Sequence, residues 1–210
     1  TIKDQILVPV DFYSVSMQAL EQAAIMAKKI NAEITLLHVR KDTQKSSLFG
    51  FLPQDQTERV RKKYINRTRE KLEKMAQEAS DSFGIAYTPM LAKGKGYEKI
   101  LEVAELINAK FIIIPLNSGK HDQEKKYIGN NTSRVIRSSR CPVITLNNYK
   151  IIQQFKTIVL PLDLQKETRQ KVAKACEFAK DFGAQLKVVS ALLTDNPEII
   201  TRLKVQMDQV

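Results

Sequence analysis

Five short and almost wholly apolar runs alternate with helix-like segments across the first 149 residues, and no other feature limits the fold as strongly. A strand that is apolar at every position is typical of a parallel sheet buried on both faces, because a half-solvated strand would alternate. Strands joined through helices also pair in parallel and place helices on both sheet faces. The sequence therefore predicts an α/β fold with a five-stranded, parallel, doubly wound sheet. The apolar runs cover residues 6–10, 34–39, 85–91, 111–116 and 142–146.

The segments between these runs carry the start and stop signals of helices. Ser14 or Ser16 is suited to cap the first helix, and Asn31 is suited to the left-handed turn that ends it. Gly84 ends a long second helix in the same way. Helices are predicted at about residues 14–30, 57–83, 97–108 and 129–139.

Part of the pattern occurs a second time near the end of the chain. Pro9 and Asp11, at the end of the first strand, reappear as Pro161 and Asp163, both at a shift of 152 residues. A two-stranded fragment buries little surface, so this second copy either belongs to a longer tandem protein or packs against another element. The predicted divisions are a first domain at residues 1–149, a linker at 150–156 and the N-terminal half of a second domain at 157–210.

The composition limits the class of protein. The chain holds 34 Lys and Arg residues against 23 Asp and Glu, a formal net charge of +11 that favours polyanions or phosphate ligands. It contains two cysteines and no run of about 18 apolar residues, so neither a disulfide framework nor a membrane span is expected. The first residues lack the pattern of a secretion signal. We therefore expect a cytoplasmic protein without a membrane span.

The densest charge lies at residues 58–74, which hold eight Lys and Arg residues against three Glu. The apolar positions that fit one stripe of a helix are Val60, Tyr64 or Ile65, and Leu72. A solvated helix face is the favoured interpretation, so nucleic acid is not expected as a partner. The alternative is a basic surface that binds nucleic acid with an affinity that falls steeply as the salt concentration rises.

A ligand crevice is predicted at the carboxyl ends of the strands, where the strand order of an open parallel sheet reverses. If the first strand lies beside the fourth, Asp11 and the polar segment 117–131 face this crevice together. Asp11 offers a hydrogen-bond acceptor, while Gly119 and Gly129 let backbone N–H groups approach a phosphate at the start of a helix. The alternative is structural: Asp11 caps the next helix, and the glycines serve turns.

Several of these features together resemble the universal stress protein family. They are the order of the elements, the strand end Val8-Pro9-Val10-Asp11, the second strand Leu36-Leu37-His38-Val39, the spacing of Gly119 and Gly129, and the run Arg140-Cys141-Pro142-Val143. The resemblance covers residues 5–147 and, as an incomplete tandem copy, 157 to about 209. It implies an adenine nucleotide alpha hydrolase-like fold and a stress-response module that is not an enzyme. It also implies ATP, with Mg²⁺, as the candidate ligand. A weak ATPase is the less favoured alternative, because no catalytic base or pair of metal-binding carboxylates is evident in the segment that contains Gly119 and Gly129.

The resemblance assigns the candidate site residues. Family members that bind ATP have a phosphate loop of the form Gly-x2-Gly-x9-Gly-[Ser/Thr], whose four defined positions fall on Leu116, Gly119, Gly129 and Asn130. Asn131 and Thr132 follow at the start of the same helix. The Thr132 hydroxyl is the candidate substitute for the Ser or Thr hydroxyl that Asn130 lacks. The resemblance places adenine and ribose against Pro9, Val10, Asp11 and Val39. Because Leu116 and Asn130 depart from the family pattern, the prediction is divided between weak nucleotide binding and an assembly protein that binds no nucleotide.

Two further features are interpreted as structural. The run Lys93-Gly94-Lys95-Gly96 lacks the complete frame of a phosphate loop and is predicted to be a turn that enters a helix. His38 lies in an apolar run and is expected to be a core histidine with a satisfied hydrogen bond. The sequence contains two histidines far apart, so neither a catalytic triad nor a histidine metal cluster is predicted.

The fifth apolar run, at residues 142–146, is predicted to form an edge of the sheet. An apolar edge strand favours pairing with another strand. The family resemblance suggests antiparallel pairing of this strand between two domains. We therefore expect a homodimer formed through residues 142–146.

Overall fold

The structure is a computed structural model that describes residues 3–41, 54–116, 128–146, 150–161, 168–190 and 196–208. The chain divides into two compact units, the first comprising Thr1–Ile151 and the second Ile152–Val210. Each unit has its own sheet. Two groups of residues lie outside the described ranges. One is the apolar group Phe49, Phe51 and Leu52, and the other is the basic group Lys120, Lys125 and Lys126.

The first unit is built on a five-stranded parallel sheet, which confirms the predicted fold. Its strand order is β3-β2-β1-β4-β5, so the first strand is central and lies beside the fourth. Strands β1, β2 and β4 are almost wholly buried, as their continuous apolar sequences predict. The strands are β1 Gln5–Pro9, β2 Glu33–Arg40, β3 Tyr87–Lys93, β4 Phe111–Pro115 and β5 Val143–Leu146.

Four helices connect these strands, and their ends follow the predicted signals with one exception. Asn31 and Gly84 adopt left-handed backbone conformations, with φ of 55° and 63°, directly after the first two helices. The exception is the first helix, whose N-cap is Tyr13 without a side-chain cap. The Ser16 hydroxyl donates to the Tyr13 carbonyl oxygen at 2.8 Å, so the predicted serine cap is wrong. The helices are α1 Ser14–Ile30, α2 Gln54–Phe83, α3 Gly96–Leu106 and α4 Asn130–Ser138.

The core on one side of the sheet is formed where α3 and α4 cover the central strands. Leu7, Leu37 and Ile112 project from three adjacent strands and are fully buried there. Ile100 from α3 and Val135 from α4 pack against them. Burial of one such side chain contributes about 1.5–3 kcal/mol to stability. Packing of Ile100 and Val135 therefore holds the starts of α3 and α4 in place relative to the strand ends.

Only the C-terminal part of α2 packs against the sheet. Leu72, Ala76 and Ala79 are buried, whereas Val60 and Tyr64 are 46% and 55% exposed. The predicted stripe is therefore wrong at Val60, and of the two alternatives Tyr64 and Ile65 it is the half-buried Ile65 that lies with Leu72. The fully buried residues of α2 begin at Thr68 and continue through Leu72, Ala76 and Ala79. Residues before Thr68 are not fully buried, because the helix continues beyond the strands that it covers.

The second unit repeats the first half of the first unit. Its strands pair in parallel, with Thr157 opposite Gln185, at the same shift of 152 residues from the pair Gln5 and Glu33. Gly183, which lies at this shift from Asn31, adopts the same left-handed conformation, with φ of 64°. The elements are β6 Thr157–Pro161, α5 Thr168–Phe182, β7 Gln185–Val189 and α6 Pro197–Asp208.

The second unit buries much less of its sheet than the first. Every second residue of β6 and β7 is exposed, including Val159 and Val189. A cluster of three phenylalanines supports α5, with Phe155 5.1 Å from Phe182 between ring centroids. Cys176 in α5 is exposed.

None of the described helices is both long enough and apolar enough to cross a membrane.

Candidate functional site

A cleft of about 120 Å³ lies at the carboxyl edge of the five-stranded sheet, where β1 and β4 are neighbours. This is the position at which open parallel sheets bind ligands. Ligand pockets typically measure about 300–1,000 Å³, so the walls of this cleft enclose only part of a nucleotide-sized ligand. The lining residues are Pro9, Val10, Asp11, Ser16, Leu37, His38, Val39, Gly96, Ile100, Ile114, Pro115, Asn131 and Thr132.

Asp11 stands at the lip of this cleft because the chain turns sharply after β1. One carboxylate oxygen, Oδ1, accepts a hydrogen bond from the Tyr13 amide at 3.1 Å. Phe12 between them has a φ of 66°, a conformation that costs energy for a residue with a side chain. One Asp11 oxygen therefore supports the turn that precedes α1, although Asp11 does not cap the helix as the structural alternative proposed. A carboxylate accepts several hydrogen bonds, so this contact leaves further acceptor capacity at the lip.

His38 joins the strand ends of β1 and β2. Its Nδ1 lies 2.7 Å from the Val10 carbonyl oxygen, an acceptor, so Nδ1 carries the proton and donates. Burial lowers the pKa of His38 below its ordinary value of 6.5, so the ring is neutral at pH 7 and its Nε2 is an acceptor. The Phe12 ring lies 4.4 Å from the His38 ring between centroids. The expected satisfied hydrogen bond is observed, but His38 is half-buried and lines the cleft rather than the core.

The N-termini of two helices meet at the opposite wall of the cleft. α3 begins at Gly96, and α4 begins at Asn130. A Cβ atom on Gly96 would lie 3.0 Å from the Asn131 side-chain nitrogen, so this close approach depends on the glycine. The partial positive charge and free amides of helix N-termini favour anions such as phosphate. The run 93–96 does enter a helix as predicted, and in addition it brings Gly96 to the cleft.

The ends of the predicted phosphate loop are held together by backbone and side-chain hydrogen bonds. The Gly129 amide donates to the Leu116 carbonyl oxygen at 2.9 Å. The Thr132 hydroxyl donates to the Pro115 carbonyl oxygen at 3.1 Å, and Thr132 is 3% exposed. Its single proton is therefore committed inside the protein, and its oxygen offers a ligand only acceptor capacity. Asn130 and Asn131 are exposed at the start of α4.

The structure brings most of the predicted site residues to one cleft. The predicted residues that line it are Pro9, Val10, Asp11, Val39, Asn131 and Thr132. Those that flank it without lining it are Leu116, Gly129 and Asn130. Gly119 lies outside the described residues. The lining residues that sequence reasoning missed are Ser16, Leu37, His38, Gly96, Ile100, Ile114 and Pro115. The position of Gly96 directly after the third strand was a signal, since the carboxyl ends of parallel strands share one edge.

A larger cavity, of about 420 Å³, lies at the other edge of the sheet. Its walls come from the C-terminal part of α3 and from Ser139, Arg140 and Cys141, which precede β5. Helix C-termini carry partial negative charge and offer no free amides to an anion. The smaller cleft at the carboxyl edge therefore remains the candidate site for a phosphorylated ligand.

The comparison with protein families identifies the chain. The model of the universal stress protein family matches residues 3–147. The chain belongs to the universal stress protein family. A universal stress protein of Methanocaldococcus jannaschii is 26% identical over 146 residues, which are 70% of this chain and 83% of that protein. The predicted family is therefore confirmed, and the chain is a stress-response module of this family.

Solved universal stress proteins share the fold. One from Archaeoglobus fulgidus aligns with 100% of this chain and 75% of its own, at 17% identity and a TM-score of 0.65. Another from Archaeoglobus fulgidus, solved in complex with dAMP, aligns with 70% of this chain and 100% of its own. Its identity is 18% and its TM-score is 0.50. These likenesses establish the fold of this universal stress protein.

Among the residues that the structure describes, no group of three or more His, Cys, Asp or Glu side chains is placed to hold a metal ion.

Proposed function

We propose that this universal stress protein binds an adenine nucleotide in the cleft between β1 and β4. The observation that carries the proposal is the convergence of Asp11 with two helix N-termini on one apolar floor. Leu37 and Ile114 provide that floor and are buried. A nucleotide has the matching chemistry, since it joins a flat base, a hydroxyl-bearing sugar and anionic phosphates.

Each part of a nucleotide has a matching wall. The base fits against the apolar strand ends at Pro9, Val10 and Val39, and the Asp11 carboxylate accepts hydrogen bonds from ribose hydroxyls. The phosphates fit at Gly96 and Asn131, where the starts of α3 and α4 meet. The related protein from Archaeoglobus fulgidus that was solved with dAMP has the same fold, which agrees with this arrangement. ATP is the proposed ligand, with Mg²⁺ as an accompanying ion.

Calorimetric titration with ATP, ADP and AMP, with and without Mg²⁺, tests the proposal. We expect saturable binding that Asp11→Ala weakens at least about ten-fold, because hydrogen bonds to a charged group contribute about 1.5–3 kcal/mol. Asp81→Ala is the matched control, since Asp81 is an exposed carboxylate near the C-terminus of α2, away from the cleft. Equal affinities of the two variants would contradict the assignment of Asp11.

A double-mutant cycle tests the phosphate wall. Gly96→Ala places a methyl group about 3 Å from the Asn131 amide and is expected to weaken ATP binding by displacing that side chain. Asn131→Ala in the same chain removes the clash and is expected to restore part of the affinity. Additive effects of the two substitutions on ATP affinity would show that the two helix starts do not act together.

A second candidate function is assembly without nucleotide binding, which the bulky Leu116 favours. The Leu116 carbonyl oxygen accepts a hydrogen bond from the Gly129 amide, so the protein itself holds these two positions together. If the unaltered protein binds no ATP and Leu116→Gly gains binding, this second function is supported. Phosphate release during the titration would instead indicate an ATP-hydrolysing enzyme, which is not part of the proposal.

We also propose that β5 pairs with a second copy to form a homodimer. β5 is an edge of the sheet, and its four residues are half-buried. The carbonyls of Pro142 and Leu146 accept hydrogen bonds from β4, so by alternation the Thr145 amide points away from β4. Thr145→Pro removes this outward donor without changing the ladder to β4. Sedimentation at micromolar concentration should show a dimer that Thr145→Pro converts to monomer.

A further inference from the structure

The first half of α2 extends past the carboxyl edge of the sheet. α2 connects β2 to the parallel strand β3, so it runs back along the sheet and begins at that edge. Lys71 lies near this edge, since its side chain reaches Phe12 just after the end of β1, with Nζ 4.5 Å from the ring centroid. Residues 58–67, which we call the α2 arm, precede Lys71. At 1.5 Å per residue the arm is about 15 Å long.

The α2 arm contains no fully buried residue, and only Arg61 and Ile65 in it are half-buried. None of residues 58–67 is buried, whereas Thr68, Leu72 and Ala76 in the following turns are. Helices in globular proteins are stabilised mainly by packing of an apolar face. The remaining residues of the arm are exposed and are therefore available to a partner.

The α2 arm concentrates unpaired positive charge. It carries five cations against the single carboxylate of Glu58, which is a net charge of four out of the +11 of the chain. Among the described residues, none of these cations has an ion-pair partner. Like charges at positions i and i+4 of a helix destabilise it, and a bound polyanion removes that repulsion. The cations are Arg59, Arg61, Lys62, Lys63 and Arg67.

One face of the arm combines an aromatic ring with cations. Val60, Tyr64 and Arg67 follow each other at helical spacing, and Tyr64 is 55% exposed. Single-stranded nucleic acids are bound by this combination, in which cations follow the phosphates and an aromatic ring stacks on a base. A membrane surface fits less well, because amphipathic membrane helices carry a face rich in Trp, Phe or Leu, and residues 58–67 contain none of these.

We propose that the α2 arm binds single-stranded nucleic acid, with its cations on the phosphates and Tyr64 stacked on a base. The sequence favoured a solvated helix face, and the exposure of Val60 and Tyr64 adds apolar and aromatic surface to the cations of that face. None of residues 58–67 lines the cleft, so this proposal does not depend on nucleotide binding there.

Fluorescence anisotropy of the full chain with a labelled 20-nucleotide oligouridine RNA tests the proposal between 50 and 200 mM NaCl. For single strands the logarithm of affinity falls with that of salt by about 0.7 per phosphate contact, so five contacts predict a slope of about −3.5. Removing two contacts in Lys63→Gln/Arg67→Gln should make the slope about 1.4 shallower. The matched control is Lys28→Gln/Lys29→Gln, which removes the same charge from exposed residues in the last turn of α1, at the other edge of the sheet.

A second pair of variants tests the stacking contact. Tyr64→Ala should weaken binding of the RNA by about five-fold or more and leave binding of a 20-base-pair DNA duplex unchanged, since duplex bases are not free to stack. Val60→Ala, also exposed on the arm, should change neither affinity. Circular dichroism of each variant checks that α2 still forms.

Four results would overturn the proposal. They are absence of salt-dependent RNA binding at 50 mM NaCl, equal losses in the two double variants, competition by excess ATP, and tighter binding to phosphatidylserine vesicles than to RNA. Competition by ATP would place the RNA in the cleft, and vesicle binding would assign the arm to a membrane surface. If the unaltered protein binds RNA but not ATP, the proposed function of the cleft fails and the proposal for the arm stands, because no residue of the arm lines the cleft.

Discussion

The Thr132 hydroxyl is buried and donates to the Pro115 carbonyl oxygen, so it joins the start of α4 to the end of β4. Sequence comparison suggested this hydroxyl as a ligand of phosphate, which requires a free donor. The structure gives it a different role, because its only proton is used within the protein. Residue type alone could not distinguish the two roles, since both place a threonine in the first turn of a helix.

Thr132→Val should therefore destabilise the fold. It keeps the shape of the side chain and leaves the buried Pro115 carbonyl oxygen without its donor, which costs about 1–3 kcal/mol of unfolding free energy. Urea denaturation measures this difference. Thr132→Ser, which retains the hydroxyl, should lose less than Thr132→Val, and the reverse order would contradict the assigned role.

His38 should make the stability of the first unit depend on pH. Burial lowers its pKa in the folded protein below the ordinary value of 6.5, so the unfolded chain binds the proton more readily. The contribution to stability is complete above pH 6.5 and is lost as the pH falls through the lower folded pKa. His38→Asn keeps an N–H donor and does not titrate. Its unfolding free energy should fall less between pH 7.5 and pH 5.5 than that of the unaltered protein, and equal falls would contradict this role.

At the scale of elements, α2 consists of two parts with different physical roles. The part that follows Thr68 packs on β2 and β3 through Leu72, Ala76 and Ala79. The α2 arm has no buried residue. The sequence predicted the helix and its end at Gly84 because periodicity and the glycine are local signals. It did not predict where packing stops, since that depends on the length of the strands that the helix covers.

The two parts of α2 should respond differently to removal of an apolar side chain. Leu72→Ala removes a fully packed side chain and should cost about 2–5 kcal/mol of unfolding free energy. Val60→Ala removes a side chain that is 46% exposed and should change stability by less than about 0.5 kcal/mol. Chemical denaturation of both variants measures the contrast, and similar losses would show that the arm is packed in solution.

At the scale of the whole molecule, the two units differ in how well they bury their sheets. The first has five strands with helices on both faces. The described part of the second has two strands, and alternate residues of both are exposed. A two-stranded sheet is marginally stable in water unless helices or further strands cover it.

The two units should therefore differ as separate polypeptides. Residues 1–151 should fold with a cooperative urea transition, whereas residues 152–210 should remain largely unfolded. Circular dichroism of the two polypeptides measures this. A cooperative transition of residues 152–210 alone would mean that the phenylalanine cluster around Phe155 suffices to stabilise that unit.

Fold and family could be predicted from sequence because strand alternation, turn residues and the shift of 152 residues are properties of the chain itself. Asp11 could be placed in a cleft with Asn131 because the carboxyl ends of neighbouring parallel strands meet at one edge. The close approach of Gly96 to Asn131 could not, since it depends on how the starts of two separate helices pack, such that a Cβ atom on Gly96 would lie 3.0 Å from the Asn131 side-chain nitrogen. The role of His38 depends likewise on a hydrogen bond between two strands.

The bond between the Gly129 amide and the Leu116 carbonyl has a consequence for protein engineering. It holds together Leu116 and Gly129, the two residues that flank positions 117–128. The entropy of closing such a stretch changes slowly with its length. Other sequences can therefore be inserted between Leu116 and Gly129 in place of positions 117–128. Libraries of such inserts can be screened for new ligand preferences while the rest of the first unit is unchanged.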